Sequence, residues 1–511
     1  MFRDSTLCSC YNLSVKDNDL GDHLDHSFEV SLEEVKSRAV RGVVVIMGRG
    51  FFIQFVAQIS QFFLLAFLSV EEMGVFWIVS AAVGFLIYFS DIGLAAALIQ
   101  KKEKPTVEDL RTTFAVQQVL IISLLIIIYF LTPYLKNIYN LSEEGVFLLY
   151  ALGISLFLSS LKSIPSVLLE RKLEFSKFII PDLLESLVYS LVVVYFAWQG
   201  AGVKSFAYAV ILRGVVGVVT IYILQRWPVG FAFSRSSLGS LFKFGVPYQL
   251  NQLVAVIKDR GVTLTLGAVL GTSGIGYLGT AERASQIPLR QFLDPITKVT
   301  FPAFSRMQEH REELASSVTR SLMVITFFVF PSAVGIWLTA PLIIRVVPNY
   351  AKWEPSIIPL GFMTINVLFA AVTTQLTNML AAIGKIKTVS KLIAMWAVLT
   401  VALVPGLGYL YGVNGAALGY ALVSISSVIA IVIAKSHVNF SLSQSIVKTG
   451  LAAALMGFVI LFARQFAPPS LPALVTVILM GGVTYLAVVY VLIGKALVED
   501  AKKFAKAFVN K

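Results

Sequence analysis

The chain has 511 residues, of which 57% are hydrophobic and only 14% are charged, and its mean hydropathy is +0.81. Soluble domains carry about 25% charged residues, so this composition excludes a soluble enzyme with a modest membrane tail, a disordered or fibrous protein and a disulfide scaffold. In a soluble protein the net charge of +12 would suggest a nucleic-acid partner. In a chain this apolar it indicates membrane topology, with no nucleic-acid partner.

Residues 1–42 are predicted to form a cytoplasmic N-terminal tail and an amphipathic lead-in to the membrane. The tail contains the only two cysteines, Cys8 and Cys10, which together with His23 and His26 loosely imitate the spacing of a zinc site. A plain solvated tail without metal is the favoured interpretation. From Ser31 onward, apolar residues among charged ones follow the pattern of an amphipathic helix.

Fourteen stretches of the chain are long and apolar enough to cross a hydrocarbon core, which takes about 20 residues. They are predicted at 43–69, 73–99, 112–134, 145–168, 177–199, 203–225, 245–270, 273–303, 319–346, 355–383, 388–411, 413–434, 446–468 and 471–494. Most of the 41 Lys and Arg residues fall in the two tails and in the loops after even-numbered spans. Because cytoplasmic loops are enriched in these residues, we predict an inner-membrane protein with both termini in the cytoplasm.

The chain repeats itself weakly at an offset of about 202 residues. Residues 68–76 align with residues 270–278, which pairs Gly74 with Gly276. Chance similarity between apolar segments is the alternative. A repeat over six spans keeps both copies in one orientation and predicts two helical bundles with the substrate site between them. Beyond the 1–42 tail, the predicted domains are a first six-helix bundle at 43–225, a cytoplasmic linker at 226–244, a second bundle at 245–434, two extra helices at 446–494 and a basic cytoplasmic tail at 495–511.

Span 8 carries the richest set of charges within the predicted membrane. Arg283, Arg290, Asp294 and Lys298 follow at spacings of 7, 4 and 4, which places them on one helix face. Each charge facing lipid would cost at least about 2.5–3.5 kcal/mol, so this face should meet an aqueous cavity or other charges. Guanidinium groups suit phosphate, and the two arginines therefore predict a cavity that receives an anion. The alternative is that Glu282 and Asp294 simply neutralise them.

The other charged residues within the predicted spans extend this set. The candidate substrate-binding cations of the cavity are Arg49, Arg213, Lys258, Arg260, Arg283 and Arg290. The candidate gating or ion-coupling residues are Asp91, Asp182, Glu185, Asp259, Glu282, Asp294 and Lys298. For Asp91, Asp294 and Lys298, a structural ion pair or placement at the membrane interface is an equally simple role.

Two further polar features bear on the function class. Gln54, Gln58 and Gln61 share one face of span 1 and suit sugar hydroxyls, although such amides also hold helices together. Asp17-Asn18-Asp19 could hold a metal and a sugar nucleotide, as a membrane glycosyltransferase or polymerase requires, but no domain surrounds it. No P-loop or catalytic triad is present, so we expect a non-enzyme without a resident metal or cofactor.

Two segments resemble signatures of bacterial polysaccharide exporters: residues 90–100, Ser-Asp-Ile-Gly-Leu-Ala-Ala-Ala-Leu-Ile-Gln, and residues 169–175, Leu-Glu-Arg-Lys-Leu-Glu-Phe. Residues 32–61, with Arg41-Gly42 and Arg49-Gly50, are similar to the first helix of the same family. Over about residues 31–495 the chain resembles the Wzx-type O-antigen and exopolysaccharide flippases. These belong to the multidrug/oligosaccharidyl-lipid/polysaccharide exporter (MOP) superfamily.

The resemblance implies a transporter that flips undecaprenyl-diphosphate-linked oligosaccharides across the cytoplasmic membrane by alternating access. It implies a V-shaped pair of six-helix bundles around a cationic cavity, driven by antiport of an ion such as H⁺ or Na⁺ or by the membrane potential. The implied partners are the lipid-linked oligosaccharide and membrane lipids, with a polysaccharide polymerase and glycosyltransferases as candidate protein partners. The alternatives within the superfamily are a lipid II flippase and a drug or metabolite exporter, whose cavity would be expected to be acidic.

Overall fold

The computed structural model describes residues 32–90, 93–101, 103–172, 174–234, 239 and 256–509, and these residues form an all-α polytopic fold. The predicted fold class is therefore confirmed over the described ranges. Several predicted features lie outside the described residues: the cysteine-containing tail, Asp91, and the first part of span 7 at 245–255.

Within the described residues, eight helices precede the predicted linker. They are α1 (Leu32–Phe67), α2 (Val70–Ile87), α3 (Leu94–Gln100), α4 (Val107–Tyr139), α5 (Glu143–Leu161), α6 (Ser163–Arg171), α7 (Phe175–Trp198) and α8 (Lys204–Leu224). The first of them runs unbroken from the predicted amphipathic lead-in through the first span. Helices α3 and α6 are short and follow the two spans α2 and α5.

Eight further helices follow the linker within the described chain. They are α9 (Val262–Pro288), α10 (Asp294–Arg306), α11 (Arg311–Val346), α12 (Ile357–Ala382), α13 (Ile386–Ile425), α14 (Val428–His437), α15 (Lys448–Phe466) and α16 (Leu471–Val509). Turns of π-helix at Ile257–Gly261 and Leu289–Leu293 flank α9, a third at Ser443–Val447 precedes α15, and a 3₁₀ turn at Ala351–Ser356 precedes α12.

Twelve helical segments of the described chain are long and apolar enough to cross a membrane, and two of them are double length. Ile257–Arg306 has 50 residues and Ile386–His437 has 52, whereas one crossing takes about 20. The first is interrupted at Gly271, with φ 68°, and the second at Gly412, with φ 64°. Left-handed backbone favours glycine and ends a helix, so each segment makes two crossings. This count agrees with the fourteen predicted spans.

Contacts within α13 show how the second double segment folds. A Cβ atom added to Gly415 would overlap the carbonyl oxygen of Leu407, and one on Gly419 would lie 2.9 Å from the Cα of Val404. In a straight helix, residues 15 apart are separated by roughly 22 Å. The two parts of α13 therefore turn back on each other at Gly412 and pack antiparallel.

Two large buried clusters form the core. One, built from the π turn at Leu289–Leu293 and from α10 to α16, includes Phe304, Leu322 and Met379 among its fully buried side chains. The other centres on α2, α5 and α8, with Met73 and Phe206, but it also takes in buried residues of α9, α12 and α13. The second cluster therefore joins the two halves of the chain.

The closest approach between the halves is a crossing of α2 with α9 at two glycines. A Cβ atom on Gly74 would overlap the carbonyl oxygen of Thr272, and one on Gly276 would overlap the carbonyl oxygen of Val70. Membrane helices approach this closely only through small residues, because packing and not water exclusion holds them together. The crossing is reciprocal, since residues 70 and 74 align with 272 and 276 in the 202-residue repeat.

Aligned residues of the repeat also meet each other at this crossing. Ser273 donates a hydrogen bond of 3.2 Å from its Oγ to Oε1 of Glu71, 202 positions earlier. The Trp77 indole packs on the backbone of Gly279, which is again its repeat mate. Contacts between equivalent residues are what a two-fold axis between the halves requires. We call this side of the bundle, where α1 turns into α2, the Gly74 end.

Three side chains of the segment at 350–353 close the Gly74 end further. Tyr350 donates to the carbonyl oxygen of Phe62 at 2.6 Å, Lys352 to that of Ala66 at 3.1 Å, and Trp353 to that of Leu65 at 2.8 Å. The last carbonyls of a helix have no partner within it, so these donors satisfy the end of α1. The second half of the chain thereby caps the first helix of the first half.

Near the other end of the first bundle, Arg171 joins the two signature segments. Its Nη1 donates to the carbonyl oxygens of Leu98, Ile99 and Lys101 at 2.8, 3.1 and 2.9 Å. These carbonyls lie at the end of α3, whose seven residues leave most of its carbonyls without helical partners. One segment of the family signature therefore holds the other in place.

Substituting Arg171→Gln is expected to lower the thermal midpoint of the purified protein by several degrees. Hydrogen bonds to a charged group contribute about 1.5–3 kcal/mol, and glutamine can replace only one of three. Heating followed by size-exclusion chromatography of the detergent-solubilised protein measures the midpoint. Lys177→Gln is the matched control, because it removes the same charge from an exposed pair with Glu174 that is worth little. Equal thermal midpoints for the two variants would contradict the stabilising role of Arg171 between the signature segments.

Candidate functional site

A cavity of about 1010 Å³ lies between the two halves. Its walls come from α1 and α2 of the first half and from α9, the two π turns, α11 and α13 of the second. The charged residues that line it are Lys258, Asp259, Arg260, Glu282, Arg283 and Arg290. Four cations face two carboxylates, so the described lining has a formal charge of +2.

The cavity cations differ in how they are paired. Lys258 Nζ lies 2.7 Å from Oδ1 of its neighbour Asp259. Arg283 stacks on Trp77, with its guanidinium carbon 3.6 Å from the centre of the ring. Within the described residues neither Arg260 nor Arg290 forms an ion pair, and both are exposed to the cavity. The positive charge of these arginines is therefore available to an anionic ligand.

Both unpaired arginines lie in π-helical turns. Arg260 belongs to the turn Ile257–Gly261, and Arg290 to the turn Leu289–Leu293, which follows Pro288. A π turn inserts an extra residue into a helix, and such turns occur frequently at functional sites. Gly84 on α2 leaves room for the Arg260 side chain, since a Cβ there would lie 3.2 Å from its Nε. The proline is the sequence signal for the second turn.

The other two predicted cavity cations lie in an ion-pair network of the first half. Arg49 on α1 contacts Asp182 on α7 at 2.5 Å, and Arg213 on α8 contacts Glu185 at 3.3 Å. Lys162, which follows α5, also pairs with Glu185. Arg49 and Arg213, which were predicted to bind substrate, therefore lie beside Asp182 and Glu185, which were predicted to couple transport to an ion. With Lys162, the network contains three cations and two carboxylates.

Glu185 is the centre of this network. Its side chain is only 4% exposed, and it accepts from both Lys162 and Arg213. Gly217 on α8 makes this possible, because a Cβ at that position would overlap the Glu185 carboxylate. A buried carboxylate is stable only with such partners, and removing one of them costs about 3–5 kcal/mol.

The remaining predicted residues lie toward the side of the cavity away from the Gly74 end. Asp294 and Lys298 are both exposed on α10, the helix that continues from the turn holding Arg290. Asp259 and Glu282 line the cavity itself. The described residues hold no group of three or more His, Cys, Asp or Glu side chains placed to bind a metal.

Aromatic and amide residues complete the lining. Gln54, Gln58 and Gln61 of α1 all face the cavity, and their spacing predicted the shared helix face. Trp77 and Tyr350 line it as well. Sequence reasoning missed both, because an aromatic residue in an apolar span or in the loop after one carries no distinguishing signal. For Trp77 the one available signal was its alignment with Gly279 in the repeat.

Comparison with known proteins gives the family. A family model described as "Polysaccharide biosynthesis protein" matches residues 64–358. The chain is 23% identical over 345 residues to the lipopolysaccharide biosynthesis protein WzxC of Escherichia coli K12, covering 66% of this chain and 69% of that protein. It is 23% identical over 300 residues to the teichuronic acid biosynthesis protein TuaB of Bacillus subtilis 168, covering 58% of this chain and 61% of TuaB, which is less than two thirds of that relative.

Solved structures share the fold. The lipid II flippase MurJ in an inward closed conformation matches with a TM-score of 0.71 at 18% identity, over 90% of this chain and all of MurJ. An inward-facing multidrug resistance MATE transporter of the MOP superfamily matches with a TM-score of 0.57 at 17% identity, over 78% of this chain and 98% of that one. Because the family model covers more than half of the chain, the chain belongs to the polysaccharide biosynthesis protein family and is a multi-pass membrane transporter of the Wzx type.

Proposed function

We propose that this transporter flips a lipid-linked oligosaccharide, carried on a diphosphate, across the cytoplasmic membrane by alternating access. The observation that carries the proposal is the cavity with its unpaired Arg260 and Arg290 and its +2 lining. Guanidinium groups bind phosphate oxygens in pairs and stay charged at every physiological pH. A cation exporter would need the opposite charge, which disfavours a drug exporter of that kind.

The size and closure of the cavity support the same proposal. Its volume of about 1010 Å³ lies at the upper end of small-molecule sites, so it suits a head group larger than a single sugar. The Gly74 end is closed by the two glycines and by the cap on α1. By the distribution of Lys and Arg this end faces outward, so release there requires the two halves to separate. The same orientation places both termini in the cytoplasm.

Flipping by the purified protein in liposomes tests the proposal. The substrate is a fluorescent undecaprenyl-diphosphate-linked trisaccharide. Flipping is measured as the rate at which its fluorophore becomes accessible to a quencher added outside the liposomes. We expect the protein to accelerate flipping well above protein-free liposomes. Acceleration of lipid II alone would identify a lipid II flippase instead, and export of dyes with neither lipid moving would identify a drug exporter.

We further propose that Asp182 and Glu185 couple this transport to an H⁺ or Na⁺ gradient. The support is the ion-pair network, since binding a cation at either carboxylate would release Arg49 or Lys162 and loosen α1 or α5 from α7. Coupling through such a network needs no added cofactor.

The variants Asp182→Asn and Glu185→Gln are expected to flip substrate at a rate that no longer depends on an imposed H⁺ or Na⁺ gradient. Their amides keep the shape of the carboxylates, but they take up no proton at physiological pH and lack the negative charge that attracts Na⁺. The assay is the liposome measurement above, with the gradient imposed or collapsed. Glu143→Gln is the control, because that carboxylate pairs with Lys136 at an exposed position. Unchanged gradient dependence in both variants would overturn the coupling role.

A further inference from the structure

The cavity is chemically divided along its length. Counting 1.5 Å per residue from the helix ends, Gln58, Gln61, Trp77 and Thr280 lie roughly 9–14 Å from the Gly74 end, Gln54 and Arg283 roughly 18–20 Å, and Arg290 roughly 28 Å from it. Every charged residue of the described lining belongs to the second half of the chain, on the π turns and α9. The described lining nearest the Gly74 end is neutral and combines polar with apolar side chains.

Polar atoms in the neutral part lack partners. Nε2 of Gln61, Nε1 of Trp77 and Oγ1 of Thr280 are buried without a hydrogen bond, and Trp77 and Thr280 are each only 7% exposed. Neither Gln54 nor Gln58 forms a hydrogen bond with any residue of the described chain. A buried donor without a partner costs about as much as a lost hydrogen bond, so native structures keep few of them, and those kept need an explanation.

Helix α1 shows that the glutamines are not a general feature of its surface. Phe51, Phe55 and Phe63 of the same helix are 41–60% exposed and lie outside the cavity lining. The helix therefore presents aromatic side chains around one narrow amide strip, and that strip faces the cavity. Amides offer both donors and acceptors at one position, which suits adjacent sugar hydroxyls and not a phosphate alone.

We propose that Gln54, Gln58 and Gln61, together with Trp77 and Thr280, form a sugar subsite that begins beside Arg283 and extends toward the Gly74 end. This inference rests on the proposed function and deepens it, because it assigns the two chemical parts of one ligand to two parts of the cavity. The diphosphate lies among Arg260, Arg283 and Arg290, and the neutral sugars extend from it toward the closed Gly74 end. The amide strip then sets which glycan the transporter accepts.

Binding to the purified full-length protein in nanodiscs tests the subsite with two probes. The probes are undecaprenyl diphosphate and the same lipid carrying a trisaccharide of neutral hexoses. The wild type is expected to bind the glycosylated probe about tenfold or more tightly than the bare lipid, as sites built to hydrogen-bond a hydroxyl do. The triple variant Gln54→Leu, Gln58→Leu, Gln61→Leu should bind the two probes equally, with unchanged affinity for the bare lipid.

Controls separate this inference from the proposed function. Leucine is among the residues best accepted at a membrane helix centre, so the triple variant should insert normally. Phe55→Leu, on the exposed face of the same helix, should keep the full preference for the glycosylated probe. A triple variant with an intact preference, or a wild type without one, would overturn the sugar subsite while leaving the diphosphate site standing. A wild type that binds neither probe would overturn the proposed function and the subsite together.

Discussion

Replacing Arg290 or Arg283 by alanine is expected to abolish surface polysaccharide in the producing strain while the protein inserts at normal levels. Each arginine faces the cavity without a carboxylate within ion-pairing distance in the described chain, so each is free to bind diphosphate oxygens. Truncating one partner of a charged hydrogen-bonded pair costs about 2–5 kcal/mol, which corresponds to a loss of transport of roughly 30-fold to more than 1000-fold. Surface polysaccharide is quantified on the cells, and protein in the membrane by immunoblot.

Two further variants sharpen this test. Arg290→Lys should retain part of the activity, because lysine keeps the charge but loses the bidentate geometry of guanidinium. Arg306→Ala is the matched control, since this residue is exposed at the end of α10 and outside the cavity lining. Full export by the Arg283→Ala, Arg290→Ala double variant would remove both residues from the mechanism.

Gly74→Ala and Gly276→Ala are each expected to block transport by preventing closure of the Gly74 end. The added methyl group would overlap a backbone carbonyl, which cannot move as a flexible side chain can. Overpacking of this kind costs about 1–3 kcal/mol or more, so the equilibrium constant for closure should fall by roughly 5- to 150-fold. Because alternating access needs both states, export should fall by a similar factor.

Accessibility of a cysteine in the cavity measures closure directly. Gln61→Cys is introduced into a background with Cys8→Ser and Cys10→Ser, and cells are treated with a thiol reagent that does not cross membranes. The two glycine variants should raise labelling from outside. Gly482→Ala is the control, because a Cβ at that position meets no atom within 4 Å. Normal export by either glycine variant with native Gln61, together with protection of Gln61→Cys in the same glycine variant, would contradict the closure.

The sequence groups the charged residues within the predicted spans into one set. The structure divides them between the ion-pair network around Glu185 and the cavity that contains Arg290. Arg49 and Arg213 carry the same charge as the cavity arginines and lie at similar depths, but each has a carboxylate partner on α7. Arg260 and Arg290 have none in the described chain. Pairing, and not position in the membrane, therefore separates groups that are free to bind substrate from groups that can respond to an ion.

Much of this protein follows from the sequence alone. The requirement for about 20 apolar residues per crossing, read with the distribution of Lys and Arg, predicts fourteen spans, and the all-helical class follows because only helices satisfy their own backbone in this way. The spacing of Gln54, Gln58 and Gln61 places them on one face by helical period alone. These properties are local, so each depends on a short stretch of chain.

Only the tertiary structure decided which residues meet. The glycine pair of the repeat forms a reciprocal helix crossing, Arg171 joins the two signature segments, and Arg283 stacks on Trp77. These contacts join residues 70 to 206 positions apart, and no periodicity records which helix faces which. Packing of two helical halves against each other fixes these partners, and with them the difference between a paired charge and one that is free to bind.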